Sequence, residues 1–136
     1  MPDRFTLSRA EGYRKPDDAI TVTRATIFGN PWQVGDPGIF RWPNPDRAGW
    51  QASLPFHCAL DTAAVVRFYR DWLRTGYAPF PASLSRKVED ALWEDMAARR
   101  ALILSRLPEL RGRDLCCTCK PGQPCHANPI MELANA

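Results

Sequence analysis

The stretch LRGRDLCCTCKPGQPCHA, residues 110–127, decides how this chain is expected to fold. Its apolar run at residues 115–119 has the length and composition of a short buried strand. The KPGQP segment that follows holds two prolines and a glycine, which favour a turn or a loop. Apolar positions at residues 130–134 then recur with the spacing of one helical face. A strand, a loop and a helix therefore meet here, at the kind of junction where open α/β sheets bind ligands.

The preceding part of the chain predicts one more strand and two more helices. Residues 20–23 (ITVT) are rich in β-branched side chains, which are typical of a strand. An apolar stripe predicts a helix that begins at Asp61 and ends at Gly76. A second helix is expected to begin at Ser83 or Ser85. Strands separated by helices favour an α/β fold with a small, Rossmann-like, mostly parallel sheet and flanking helices.

Residues 33–60 are rich in proline and aromatic side chains and show no visible period. Long loops without regular structure are usually functional segments or lids. We expect this aromatic loop, with Trp42 and Trp50, to close over the ring of a ligand by stacking. The alternative is a surface loop that its aromatic side chains anchor to the core.

Composition sets the class of protein. The 136 residues predict a single α/β domain over residues 1–136, and the net charge of +3 permits a nucleic-acid or nucleotide partner without requiring one. We find no apolar run long enough to span a membrane and no signal-peptide pattern at the start of the sequence. We therefore expect a cytoplasmic protein, in which neighbouring cysteines serve as metal ligands or reactive thiols more often than as disulfides.

Four of the five cysteines and one of the two histidines lie within residues 116–126. The soft donors Cys117, Cys119, Cys125 and His126 are a set that zinc takes in structural sites. Cys117 and Cys119 would share one face of a strand, and Cys116 would face the core. The spacing differs from that of common zinc ribbons and fingers, so zinc is one of three alternatives.

The second alternative is catalysis. Cys125 would lie at the start of the terminal helix, whose positive end lowers a thiol pKa. His126 could then act as acid or base, with Cys119 beside them, and the same helix start could hold a phosphate. On this interpretation Cys125 is the most reactive thiol, ahead of Cys58 and Cys116. The third alternative is that these are small buried side chains without chemistry.

The basic residues of the first third favour anion binding. Arg24 follows the first predicted strand, at the sheet edge to which the cysteines should belong. With Gly29 and Asn30 of the adjacent turn, it could hold a phosphate in a bidentate contact; Arg14 is a further candidate. Ordinary surface charge is the alternative. We expect one pocket to be lined by Arg24, Asn30, Cys119, Cys125 and His126.

Five motifs carry a resemblance to a known family: RAEGYRKP at residues 9–16, VTR at 22–24, GNPW at 29–32, LRGRDLCCTC at 110–119 and CHA at 125–127. With this spacing, the chain resembles domain of unknown function family 4326, which is found in bacteria and phages. The tail is also similar, more loosely, to uncharacterised family 488, although Ala127 replaces that family's arginine. Both resemblances imply a Rossmann-like α/β sheet, and neither supplies a known reaction.

Together these features predict a protein that binds a nucleotide or another phosphorylated small molecule and catalyses group transfer or hydrolysis, in nucleotide or nucleic-acid metabolism, in a phage setting. Arg24 would hold the anion, Asn30 would orient the substrate, and Cys125 or His126 would carry out the chemistry. The alternative is a non-enzymatic module, stabilised by zinc, that binds nucleic acid through its basic N-terminal region and aromatic loop. The sequence identifies no cofactor beyond this possible zinc.

Overall fold

A computed structural model describes residues 2–7, 12, 14–15, 18–47, 50, 53–119 and 122–136. Parts of two stretches quoted above lie outside the described residues: residues 9–11, 13 and 16 of the first motif, and the turn residues 120–121. The described strands are β1 (Arg4–Thr6), β2 (Ile20–Thr21), β3 (Trp32–Gln33), β4 (Ile39–Arg41), β5 (Ser53–Pro55) and β6 (Leu115–Cys117). The described α-helices are α1 (Thr62–Thr75), α2 (Arg86–Leu110) and α3 (Ala127–Ala134).

The cysteine-rich strand is the centre of a parallel sheet. β6 lies between β1 and β2 and pairs in parallel with both. The backbone N–H of Val22, directly after β2, donates to the carbonyl of Cys116 at 2.8 Å. All three residues of β6 are buried, as expected for a strand that is covered on both faces. The predicted parallel pairing of the ITVT strand with the cysteine strand is therefore confirmed, and β1 is an addition that the sequence did not reveal.

The proline-rich region forms a second sheet, with strand order β3-β4-β5, and both of its pairings are antiparallel. Phe40 pairs with Trp32 on one side and with Leu54 on the other, and all three side chains are buried. The prediction of one long loop without regular structure over residues 33–60 is therefore wrong. The prediction of a mostly parallel sheet holds for the first sheet only, and the fold is a mixed arrangement of helices and strands.

The helix boundaries follow from capping residues. The carboxylate of Asp61 accepts a hydrogen bond from the backbone N–H of Ala64 at 2.7 Å, which satisfies a donor at the start of α1. Gly76 ends α1 with a φ of 82°, a left-handed conformation that glycine adopts without strain. The hydroxyl of Ser85 caps α2 in the same way as Asp61 caps α1. These predicted boundaries are confirmed.

One hydrophobic cluster contains residues of both sheets and all three helices. Trp32 is fully buried in it and makes edge-to-face ring contacts with Phe40, Phe68 and Trp72. Such contacts stabilise a core beyond the burial of apolar area. Because Trp32 belongs to β3 and Trp72 to α1, this contact fixes the antiparallel sheet against the first helix. None of the described helices combines the length and the apolar composition needed to cross a membrane.

The cap of α1 provides a test of this fold. We expect Asp61→Ala to lower the free energy of unfolding by about 1 kcal/mol, because it removes the acceptor for the first turn. Urea unfolding followed by circular dichroism measures the change. Asp71→Ala in the same helix is the matched control, because this exposed side chain caps nothing and should change stability by less than about 0.5 kcal/mol. Equal losses in both variants would contradict the assigned cap.

Candidate functional site

Three sulfur atoms meet where the central parallel strand ends. The Sγ atoms of Cys117, Cys119 and Cys125 all lie within 4.8 Å of one another, and we call these residues the thiol cluster. The Sγ atoms of Cys117 and Cys125 are 3.1 Å apart, and neither forms a disulfide. β6 delivers the first thiol, and the chain returns through the following loop to deliver the last one just before α3. Three thiols of this kind are a donor set for a soft metal ion.

The positively charged side chain of Arg4 lies beside the thiol cluster. The Arg4 guanidinium donates to the Sγ of Cys117 at 3.6 Å and to the carbonyl of Gln123 at 3.5 Å. Hydrogen bonds from the thiols of Cys119 and Cys125, and then the one from Arg4, lower the pKa of Cys117. The arrangement therefore favours a thiolate at Cys117. Sequence reasoning missed Arg4, because the three-residue strand that positions it is too short to show a pattern.

The same contacts act in the opposite direction on Cys125. Its hydrogen bonds with Cys117 and Cys119, together with burial, raise the pKa of Cys125. His126, and not Cys125, occupies the cap position of α3, and its side chain makes no capping hydrogen bond. Cys125 was predicted to lie at the helix start with a lowered pKa; in the structure it lies one residue before the cap, and the neighbouring sulfurs act on its pKa in the opposite direction.

His126 is buried, with 5% of its surface exposed. Its Nε2 is hydrogen-bonded to the backbone carbonyl of Val22. Since a carbonyl can only accept, Nε2 carries the hydrogen, and Nδ1 of the neutral ring keeps its lone pair. Burial lowers the pKa of His126, which favours this neutral form. The Nδ1 atom lies 3.9 Å from the Sγ of Cys119, beside the thiol cluster.

A second feature is a concave site of about 210 Å³ that three arginines line, and we call it the arginine pocket. Arg24 follows β2, Arg41 ends β4, and Arg99 comes from the middle of α2. Arg24 donates to the carbonyl of Asn30, and Arg99 donates to the carbonyl of Pro43 at 2.6 Å. Within the described part of the chain, none of the three arginines forms a salt bridge, and no acidic residue lines the pocket. The site is therefore strongly positive.

The Gly29-Asn30 turn shapes this pocket. A Cβ atom on Gly29 would lie 2.6 Å from the carbonyl oxygen of Arg24, so only glycine allows the two segments to approach this closely. The buried side chain of Asn30 donates to the carbonyl of Val65 at 2.9 Å and accepts from the backbone N–H of Trp32 at 2.9 Å. These bonds hold the turn against α1 and β3. The structure therefore uses the Asn30 amide to support the pocket.

The residues that were predicted to line a single pocket are divided between the arginine pocket and the thiol cluster, which are neighbours in the structure. The structure brings Cys119, Cys125 and His126 together, but none of them lines the arginine pocket. Cys119 lines a separate groove. The arginine pocket and the thiol cluster are linked through residues 22–24. The carbonyl of Val22 is hydrogen-bonded to the His126 ring, and the charge of Arg24 contributes to lowering the pKa of His126. The prediction of one shared pocket is wrong, although the predicted sheet edge does gather both groups.

The other predicted ligand residues have different positions. Trp42 is buried, and its Nε1 donates to the carboxylate of Asp95 at 2.6 Å, so it is a fixed wall of the arginine pocket and not a mobile lid. Trp50 exposes 47% of its surface. Arg14 is exposed and lines neither the arginine pocket nor the groove beside Cys119. Arg41 and Arg99 were missed, because nothing in their local sequence separates them from surface arginines.

The described residues form two three-stranded sheets and three α-helices, with a thiol cluster at the end of the central parallel strand. The chain belongs to the family described as Domain of unknown function (DUF4326), whose model matches residues 5–136. The predicted family resemblance is confirmed. A bacterial or phage source and the looser similarity to family 488 stay predictions. Neither the curated proteins nor the solved structures contain a significant match.

The burial of the cysteines gives a labelling prediction. In the native protein, iodoacetamide should modify exposed Cys58 first and half-buried Cys119 more slowly, because access to the sulfur limits the reaction. Fully buried Cys116, Cys117 and Cys125 should react only after unfolding. Mass spectrometry of digested samples over time measures the order. As a control, Cys58→Ser should remove the fast phase alone, and a fast reaction at Cys125 would contradict the burial described here.

Proposed function

We propose that the arginine pocket binds the phosphate of a nucleotide or of another phosphorylated small molecule. The observation that carries this proposal is the convergence of Arg24, Arg41 and Arg99 on one concave site without an acidic partner among the described residues. Guanidinium groups match phosphate oxygens in charge and in bidentate geometry. A bound dianion would offset the repulsion between these like charges.

The electrostatics of Arg24 support this interpretation. Partial desolvation and then the neighbouring charge of Arg41 lower the pKa of Arg24. Positive charge is therefore concentrated in the pocket, and bringing in a phosphate would raise that pKa again. The side chain of Arg41 makes no hydrogen bond or salt bridge with another described residue, which leaves it free for a ligand.

The walls of the pocket are suited to the remainder of such a ligand. A volume of about 210 Å³ is small for a complete cofactor and fits a phosphate with the group next to it. Trp42 forms a rigid aromatic wall, and the centroid of the exposed Trp50 ring lies 6.2 Å from that of Trp42. We propose that a base or similar ring extends from the pocket and stacks on Trp50.

We also propose that the parallel sheet works as a Rossmann-like sheet does, with ligand groups beyond the carboxyl ends of its strands. Group transfer or hydrolysis on the bound ligand, in nucleotide metabolism in the cytoplasm, remains part of this proposal. The geometry favours binding over catalysis by Cys125, because the Cys125 side chain is fully buried. Cys119, which lines a groove, is the most accessible of the three clustered thiols.

Calorimetric titration with ADP, AMP, adenosine and inorganic phosphate tests the proposal. We expect ADP and AMP to bind and adenosine to fail, because the pocket recognises the phosphate. Arg41→Gln should weaken binding about tenfold or more, since a hydrogen bond to a charged group contributes about 1.5–3 kcal/mol. Arg41 is the best position, because its side chain makes no hydrogen bond or salt bridge to any other residue in the described part of the chain.

Arg74→Gln is the matched control, because Arg74 is exposed and lies outside the arginine pocket; its affinity should be unchanged. Equal binding of adenosine and AMP would overturn the phosphate-binding proposal. Tight binding of a single-stranded oligonucleotide, with strong salt dependence and no effect of Arg41→Gln, would favour the nucleic-acid module instead.

A further inference from the structure

We propose that Cys117, Cys119, Cys125 and His126 bind one zinc ion in a tetrahedral site with three sulfur ligands and one nitrogen ligand. This site is distinct from the arginine pocket, and the proposal does not depend on the phosphate-binding function. Its basis is the convergence of four soft donor groups on one point at the end of β6.

The sulfur positions suit a zinc ion. Thiolates bind zinc at about 2.3 Å, so two of them in a tetrahedral site lie about 3.8 Å apart. The three Sγ atoms here are all within 4.8 Å of one another, and the shortest separation, between Cys117 and Cys125, is 3.1 Å. The shortest separation is below the tetrahedral distance and none exceeds 4.8 Å, so small side-chain rotations would let an ion lie between the three sulfurs.

The orientation of His126 is the second, independent observation. Metal-bound histidines generally donate their other ring N–H to a carbonyl or carboxylate, which fixes the tautomer. Here Nε2 is held by the carbonyl of Val22, and the lone pair of Nδ1 lies 3.9 Å from the Sγ of Cys119. Zinc-bound sulfur and nitrogen atoms lie about 3.6 Å apart in a tetrahedral site. His126 is not part of the mutually close set of sulfurs, so an ion would draw Nδ1 towards Cys117 and Cys125.

Charge balance explains the position of Arg4. Three thiolates and a zinc ion carry one net negative charge, and a buried charge needs a partner. The Arg4 guanidinium, which donates to the Sγ of Cys117, supplies it. The backbone N–H of Ala127 also donates to the Sγ of Cys125 at 3.4 Å, as it would to a metal-bound sulfur. Packing of small apolar side chains does not account for a guanidinium that points at sulfur.

Such an ion would join β6 to α3, two short elements of three and eight residues. Structural zinc stabilises a fold because the unfolded chain holds no preformed site. A zinc ion with four protein ligands has no open coordination position, so its role is structural. The ion would also fix the ring of His126, which is hydrogen-bonded to the carbonyl of Val22, two residues before Arg24.

Metal analysis of the full chain is the primary test. After purification under reducing conditions without chelator, elemental analysis and native mass spectrometry should find one zinc per chain. Replacement of zinc by cobalt should give the intense visible bands of tetrahedral cobalt with thiolate ligands. This measurement uses the unaltered protein, so it decides the proposal even if every variant folds poorly.

Variants then assign the ligands. Cys119→Ser should lose stoichiometric zinc, and His126→Gln should change the cobalt spectrum and weaken binding. Arg4→Gln should keep the spectrum and weaken binding about 10- to 100-fold, as changes to groups around a metal site do. The matched controls are Cys58→Ser, exposed, and Cys116→Ala, buried next to the site, and both should retain one zinc.

Each contrary result is informative. Reduced, folded protein that binds no zinc at equimolar concentration would overturn the proposal. So would a disulfide between Cys117 and Cys125 in protein that was purified without oxygen, or iron with visible absorption in place of zinc. A cobalt spectrum that His126→Gln leaves unchanged would overturn the assignment of the nitrogen ligand.

Discussion

The parallel pairing of β6 with both β1 and β2 is the interaction on which the rest of the structure depends. Three residues, Leu115–Cys117, hold together segments that are about a hundred residues apart in the sequence. The pairing brings Arg4 beside the first clustered thiol and the carbonyl of Val22 to Nε2 of the His126 ring. Without it, neither the thiol cluster nor the neighbouring edge of the arginine pocket would have its present geometry.

The features that sequence predicted well depend on local chemistry. Asp61, Gly76 and Ser85 bound the helices because capping needs a particular side chain or backbone freedom at one position. The pairing of the ITVT strand with the cysteine strand was also predictable, because buried β-branched and apolar strands in an α/β pattern have few other strands to pair with. The clustering of thiols followed directly from their spacing around one short loop.

What the sequence did not reveal depends on contacts between distant residues. The antiparallel sheet was missed because β3 has two residues and β4 and β5 have three, too few to show alternation. The prediction for the pKa of Cys125 considered only the helix start, whereas the two sulfurs that raise this pKa are brought beside it by the fold. Arg4, Arg41 and Arg99 acquire their positions from three separate elements, and no local pattern marks them.

The central position of β6 also constrains the order in which the protein can fold during synthesis. β1 and β2 emerge from the ribosome early, but their hydrogen-bonding partner is made only when residues 115–117 have been added. The antiparallel sheet and α1, whose contacts are closer in sequence, can form before then. Until that moment the strand edges of Arg4–Thr6 and Ile20–Thr21 are unpaired, and unpaired strand edges are prone to aggregation. The short length and mixed polarity of these two strands limit that risk. Their short length therefore protects the nascent chain, although it also makes them hard to recognise in the sequence.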